Sequence, residues 1–372
     1  MSYATPPLVD NPKLSEKKVR NSNLELYRII VMLLIVAHHY VVNSGLMDVI
    51  GESEFSIVPI SMLLLGAWGK TGINCFMLIT GYFMCKSNIT GKKLLKLYLQ
   101  IVFYAVIIYG IFCITGHEKL SVLIASFKLF PVKSITNGFT SCFLLFYLFI
   151  PFLNILIHSM NRRQHGALII LALTVYTLLP SVGMKISFNY ISWFSVLYLI
   201  AAYIRIYDIK LKISHNAWGW LTLILIVLAS ISVVVMFWLH KSGYIGFHPY
   251  IFITDSNKLL ALAIGLTSFM WFKDIRIPYS RIINAIGATT FGVLLVHANS
   301  DAMRQWLWKE AVDVTGHFGD SLLMTLGYAL GMIAIIFVVC SGIDWFRGKL
   351  IEPMLLRGME RINLHRHRLH KR

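Results

Sequence analysis

The sequence predicts an all-α polytopic membrane protein of about ten transmembrane helices, with both termini in the cytoplasm. Three observations predict it. Of 372 residues, 57% are hydrophobic and only 14% are charged, with a mean hydropathy of +0.69; a soluble domain carries roughly a quarter charged residues. The apolar residues fall in runs close to the twenty or so needed to cross about 30 Å of hydrocarbon. Basic residues cluster in every second gap between those runs, as the positive-inside rule requires. A soluble enzyme and a disordered chain are both excluded, since neither tolerates this much apolar surface. The net charge of +17 is read as membrane topology, and no nucleic-acid partner is expected.

Taken in order, residues 1–21 are polar, contain Pro6, Pro7 and Pro12, and end in Lys17, Lys18 and Arg20. They read as a disordered cytoplasmic tail. The membrane domain spans 22–346, with crossing segments at 24–43, 68–85, 97–115, 139–158, 166–182, 190–207, 217–240, 256–272, 282–298 and 322–346. Of the 34 Lys and Arg residues, the outer gaps and helix ends hold only Lys70, Lys119, Lys128, Lys133, Lys185, Lys241, Lys258, Arg304 and Lys309. An odd number of crossings would put the basic tail at 347–372, with His365, His367 and His370, on the wrong side. That tail is too short for an added extracytoplasmic domain, so a stand-alone membrane module is expected. The long outer loops are 44–67, 116–138 and 299–321; the second holds an amphipathic run from Val122 to Phe130, suited to an interfacial or re-entrant helix. Cys75, Cys85, Cys113, Cys142 and Cys340 form no CxxC pair and imply neither a metal centre nor a disulfide framework.

The first segment carries the chemistry. Arg28 and His39 are 11 residues apart, which on a helix is three turns plus roughly 20° and about 16 Å of rise. They share a face, and Glu25, at i−3 from Arg28, can pair with it. His38 points about 100° away. Ionisable groups inside a membrane segment cost about 2.5–3.5 kcal/mol each on insertion scales, so they are functional candidates by default. The same residues also fit a plainer reading, in which Glu25 and Arg28 anchor the helix end, Arg28 snorkels and His39 holds a helix contact.

Arg28, ten intervening residues and His39 resemble the R-x10-H signature of the acyltransferase 3 superfamily of bacterial integral-membrane O-acyltransferases. Asn74 to Phe83, with Thr80-Gly81-Tyr82, resembles that family's aromatic segment ending in Ser-Gly-Phe/Tyr, with Thr80 replacing Ser. Lys92-Lys93-Leu-Leu-Lys96 stands where the family has R-x-x-R, keeping charge but losing the guanidinium fork. Leu145 to Pro151 and Phe291 to Asn299 resemble later segments of the surface-polysaccharide branch. The resemblance covers roughly 22–345.

The resemblance implies transfer of an acyl group, usually acetyl, from acyl-CoA to a hydroxyl of a surface polysaccharide or its lipid-linked precursor, in the bacterial inner membrane. Acetyl-CoA enters as donor substrate, and no resident cofactor or metal is expected. His39 is the candidate base, acting directly or through a covalent relay, because imidazole suits proton removal near neutral pH. Arg28 and Glu25 complete the catalytic set. Arg28, Lys92, Lys93 and Lys96 are candidates for the donor phosphates, against plain positive-inside flanking. Asn74 and Tyr82 are candidate donors to the thioester or its oxyanion. His297, Asn299, Asp301 and Arg304, beside Trp306 and Trp308, are candidates for the acceptor sugar, against an interfacial aromatic belt. His240, His248 and Asp255 are further outer-side candidates. The competing function is a polytopic transporter or flippase for a glycan or lipid-linked intermediate, to which an intramembrane Arg and His are equally suited. No inverted repeat or paired broken helices support it.

Overall fold

A computed structural model describes residues 21–131, 138–184, 186–208, 213–319 and 321–357. The tail at 1–20, the histidines after 357, Lys133 and Lys185 lie outside the described residues. Among those described, the chain is helical and contains no strand. The helices are α1 (Ser22–Val42), α2 (Leu46–Glu52), α3 (Ile57–Gly66), α4 (Gly69–Met84), α5 (Gly91–Ile114), α6 (Val122–Leu129), α7 (Phe139–Ser159) and α8 (Arg162–Leu173). A π turn at Thr174–Leu178 leads into α9 (Leu179–Ser181), followed by α10 (Tyr190–Ile206), α11 (His215–Lys241), α12 (Leu259–Asp274), α13 (Arg281–His297), α14 (Asp301–Gln305) and α15 (Leu322–Phe346).

Every one of the ten predicted crossing segments is helical. Among the described residues, seven stretches are long and apolar enough to cross a membrane, and an eighth is reached if α13 and the helical turns at 301–311, bent by 95°, count as one broken span. Helix starts are set by local chemistry. Side chains of Thr90, Ser121, Asn189, Ser214, Ser280, Ser300 and Ser321 each accept from a first-turn N–H, and Asn161 forms a reciprocal capping box with Gln164.

Of the long outer loops, the first differs from expectation and the second follows it. Residues 44–67 are mostly helix: α2 and α3 follow α1, and α3 packs back against it. A largely apolar run from Ile57 to Leu65, interrupted by Ser61, explains this, because such a run in lipid must satisfy its own backbone. The amphipathic run forms α6, which lies alongside α5. The Tyr109 hydroxyl accepts from the Ser121 N–H at 2.8 Å, and the Tyr98 hydroxyl donates to the Leu129 carbonyl at 2.7 Å. Those tyrosines are about 16 Å apart along α5, so α6 runs back down the bundle as a re-entrant element would. The last helix also continues beyond the expected boundary at 346, through a π turn at Arg347–Ile351, to Arg357.

The core forms around α1, which packs against α3, α4, α12, α13 and α15, with α10 closing on α4 and α7. The outward faces of α5, α7, α11 and α15 are apolar and exposed, as at Ile111, Phe152, Ile224 and Val338, and suit lipid contact. Small residues permit the tight crossings. A Cβ at Gly287 would meet the Glu25 side chain at 2.5 Å, and one at Gly69 would collide with the His38 ring.

Candidate functional site

α1 places its polar residues at two ends of the bundle. At its N-terminal end, Arg28 Nη1 donates to Glu25 at 2.9 Å, with the Glu25 side chain only 5% exposed. The Arg28 guanidinium also sits 5.8 Å from the centroid of Phe83. At the other end, His38 and His39 line a cavity of about 310 Å³ with Met32, Ile35, Lys70, Phe76, Asn299 and Arg304.

The cavity does not include Arg28. On α1 its wall runs from His39 to Met32, so the guanidinium begins one turn below its floor. Sharing a helix face thus does not bring the two groups to one cavity. Arg28 and His39 do share a helix face, but Glu25 draws the guanidinium to itself, and Met32, fully buried, separates it from the chamber.

Hydrogen bonds set the state of the imidazoles. His297 Nδ1 lies 2.6 Å from the Val293 carbonyl, an obligate acceptor, so this nitrogen carries the proton. In a neutral ring Nε2 is then an acceptor, and it faces His39 Nδ1 at 2.9 Å. His39 must donate from Nδ1, which leaves its Nε2 lone pair without a hydrogen bond among the described residues. His38 is held similarly, with Nδ1 2.6 Å from the Gly66 carbonyl. The His38 and His39 rings stand 5.8 Å apart, both on the cavity wall although their α1 directions differ.

The remaining walls are electropositive. Lys70, in the first turn of α4, donates to the Tyr190 hydroxyl at 2.9 Å. Gly138 to Ser141 bring in the start of α7, a 21-residue helix with no side-chain cap, whose first N–H groups carry the positive end of the helix dipole. Arg304 pairs with Asp301, which is 89% exposed. Asn299 donates to the Leu295 carbonyl at 2.9 Å while its buried Oδ1 has no partner.

Other predicted site residues sit elsewhere. His297 is fully buried behind His39, with both ring nitrogens engaged, so it is removed from any outer surface. Asn74 is also fully buried: its amide nitrogen donates to the Ser256 carbonyl at 2.7 Å and its oxygen accepts from the Trp193 indole at 2.9 Å. Tyr82 accepts from Arg205 at 2.7 Å. Lys92 is exposed at the start of α5, Lys93 donates to Ser87 and the Asn88 carbonyl, and Lys96 pairs with Glu352 at 2.8 Å. These lysines lie at the Arg28 end, far from the cavity. Among the outer-side candidates, the His240 ring contacts the Gly51 and Ile245 carbonyls.

Sequence reasoning missed Lys70, counted only as a topology charge; His38, set aside for its direction; and the start of α7. The adjacent His38-His39 pair and the Gly69-Lys70 start of the second segment were the available signals. Among the described residues, no three His, Cys, Asp or Glu side chains are placed to hold a metal ion. A family model described as an acyltransferase domain matches residues 21–344. No curated protein and no solved structure matches the chain.

Proposed function

From a chain that belongs to this acyltransferase family, we propose an integral-membrane O-acyltransferase that moves an acetyl group from acetyl-CoA to a sugar hydroxyl of a cell-surface polysaccharide or its lipid-linked precursor. The observation that carries the reading is the tautomer of His39. Val293 orients His297, His297 accepts from His39 Nδ1, and Nε2 is left as the free base of a ring that lines the cavity.

The chemistry follows from that lone pair. His39 Nε2 takes the proton of the acceptor hydroxyl as its oxygen attacks the thioester carbon, the step for which a positioned imidazole supplies typically 10²–10⁴-fold. Negative charge gathers on the carbonyl oxygen, and the uncapped N–H groups at Phe139, Thr140 and Ser141 are placed to receive it. The carbon–sulfur bond then breaks, and His39 returns the proton to the leaving thiolate. His297 acts through His39 as a positioning residue, in the part of the third member of a triad. Asn299 Oδ1, an unmatched buried acceptor, suits a second hydroxyl of the sugar.

The donor nucleotide is assigned to the Arg28 end of the bundle, which also carries Lys92, Lys93 and Lys96, and the pantetheine arm must displace Met32 to bring the thioester into the chamber. The basic flanks of that end support a cytoplasmic location for it. Replacing His39 with alanine tests the proposal. Acetylation of the glycan, read by mass spectrometry, is expected to fall at least about 10²-fold with the protein still folded. Product within a few-fold of wild type would refute it.

A further inference from the structure

The chamber beside His39 is lined by two cations, two imidazoles and the positive end of α7, with no carboxylate among its described lining residues. One developing oxyanion does not need this much. The start of α7 already supplies N–H donors for it, and Lys70 and Arg304 are left over. Arg304 is only weakly neutralised, since its partner Asp301 stands almost wholly in solvent. Lys70 is half-buried, has no acidic partner among the described residues, and spends one of its three donors on Tyr190. An ammonium kept inside an apolar bundle without a counter-ion is costly unless a ligand supplies the opposite charge.

We propose that the acceptor is an anionic sugar, carrying a carboxylate or phosphate that Lys70 and Arg304 bind while a neighbouring hydroxyl meets His39. The inference rests on the acyltransferase reading and narrows its substrate class. The alternative source of anionic oxygens is the acyl donor. The geometry disfavours it: a chamber of about 310 Å³ is at the small end of ligand pockets. That is enough for one sugar ring and a thioester tip. Both cations also lie at the end of the bundle away from Arg28 and the α5 lysines.

The test reads occupancy rather than turnover, so it stands apart from any failure of catalysis. The full chain in lipid nanodiscs is treated with diethyl pyrocarbonate, and modification of His39 is followed by peptide mass spectrometry. Glucuronic acid, glucose 6-phosphate, glucose and free coenzyme A are supplied in separate arms at constant ionic strength. The acidic sugars are expected to protect His39 at concentrations about tenfold below glucose, the scale of one charge-assisted hydrogen bond. Lys70→Met should remove that advantage, and Lys70→Arg should keep it. Equal protection by glucose, no protection by either acidic sugar, or an advantage that survives Lys70→Met would overturn the proposal. So would Lys70-dependent protection by coenzyme A alone, which would assign the cations to the donor. Should Lys70→Met fail to fold, the wild-type comparison of acidic sugar with glucose decides alone.

Discussion

Replacing His297 with phenylalanine keeps a ring in the space behind His39 but removes the acceptor for its Nδ1 proton. In the native arrangement that bond is 2.9 Å long and His297 is fully buried, so no water is at hand to take its place. The expected cost is that of leaving one buried donor unsatisfied, about 1–3 kcal/mol. His39 escapes part of it by moving its proton to Nε2, but that tautomer has no lone pair facing the substrate. Either way the fraction of enzyme with a competent base falls, and about 10- to 10²-fold is lost from kcat. KM for both substrates should hold, because His297 touches neither. Glutamine at 297 offers an amide oxygen to His39 and should recover part of the loss. The assay is thiol release from acetyl-CoA with a glycan acceptor, alongside a thermal melt of each variant. If the phenylalanine variant turns over within about twofold of wild type, or if glutamine does no better, His39 is not held by His297 and the tautomer argument fails.

Two further outcomes follow from the packing. Gly69→Ala drives a methyl group into the His38 ring, which is already tied to the Gly66 carbonyl; a loss of about 1–3 kcal/mol is expected, read as a lower melting temperature in detergent. Asn74→Ala strands the Trp193 indole N–H and deprives the Ser256 carbonyl of its donor. Stability should fall by at least about 1–3 kcal/mol while KM for acetyl-CoA in the surviving folded protein is unchanged. A raised KM with normal melting would instead return Asn74 to donor binding.

The parts of this molecule that were legible in sequence are those set by one-dimensional patterns. Apolar runs marked the long helices of the bundle but not α2, α3 or α14, because lipid forces each long run to satisfy its backbone internally. The α1 stripe followed from helical periodicity, and Glu25–Arg28 did pair at i,i+3. The contacts between distant segments could not be read this way. His39 meets His297 across more than half the chain, and nothing local to residue 297 distinguishes a ring facing a sugar from one buried behind a catalytic imidazole. Asn74 had the same ambiguity: its neighbours Trp193 and Ser256 come from other helices, and only their convergence shows the amide to be saturated.

The site's chemistry also depends on which helix ends meet, a property no single segment encodes. The last two turns of α1 carry two imidazoles into a space reached by the first turns of α4 and α7. Because these helices run opposite to α1, they present N–H groups there while α1 presents side chains. Up-and-down packing in a membrane thus pairs a base with electropositive helix starts without recruiting any further charged residue for the oxyanion. Only charges beyond that arrangement need another explanation, and this separates Lys70 from the lysines at the Arg28 end. Those at 93 and 96 have protein acceptors and lie where topology alone favours cations. Lys70 lies at the end away from those basic flanks, lines the chamber and has no acidic partner among the described residues. A ligand's charge is the remaining way to balance it.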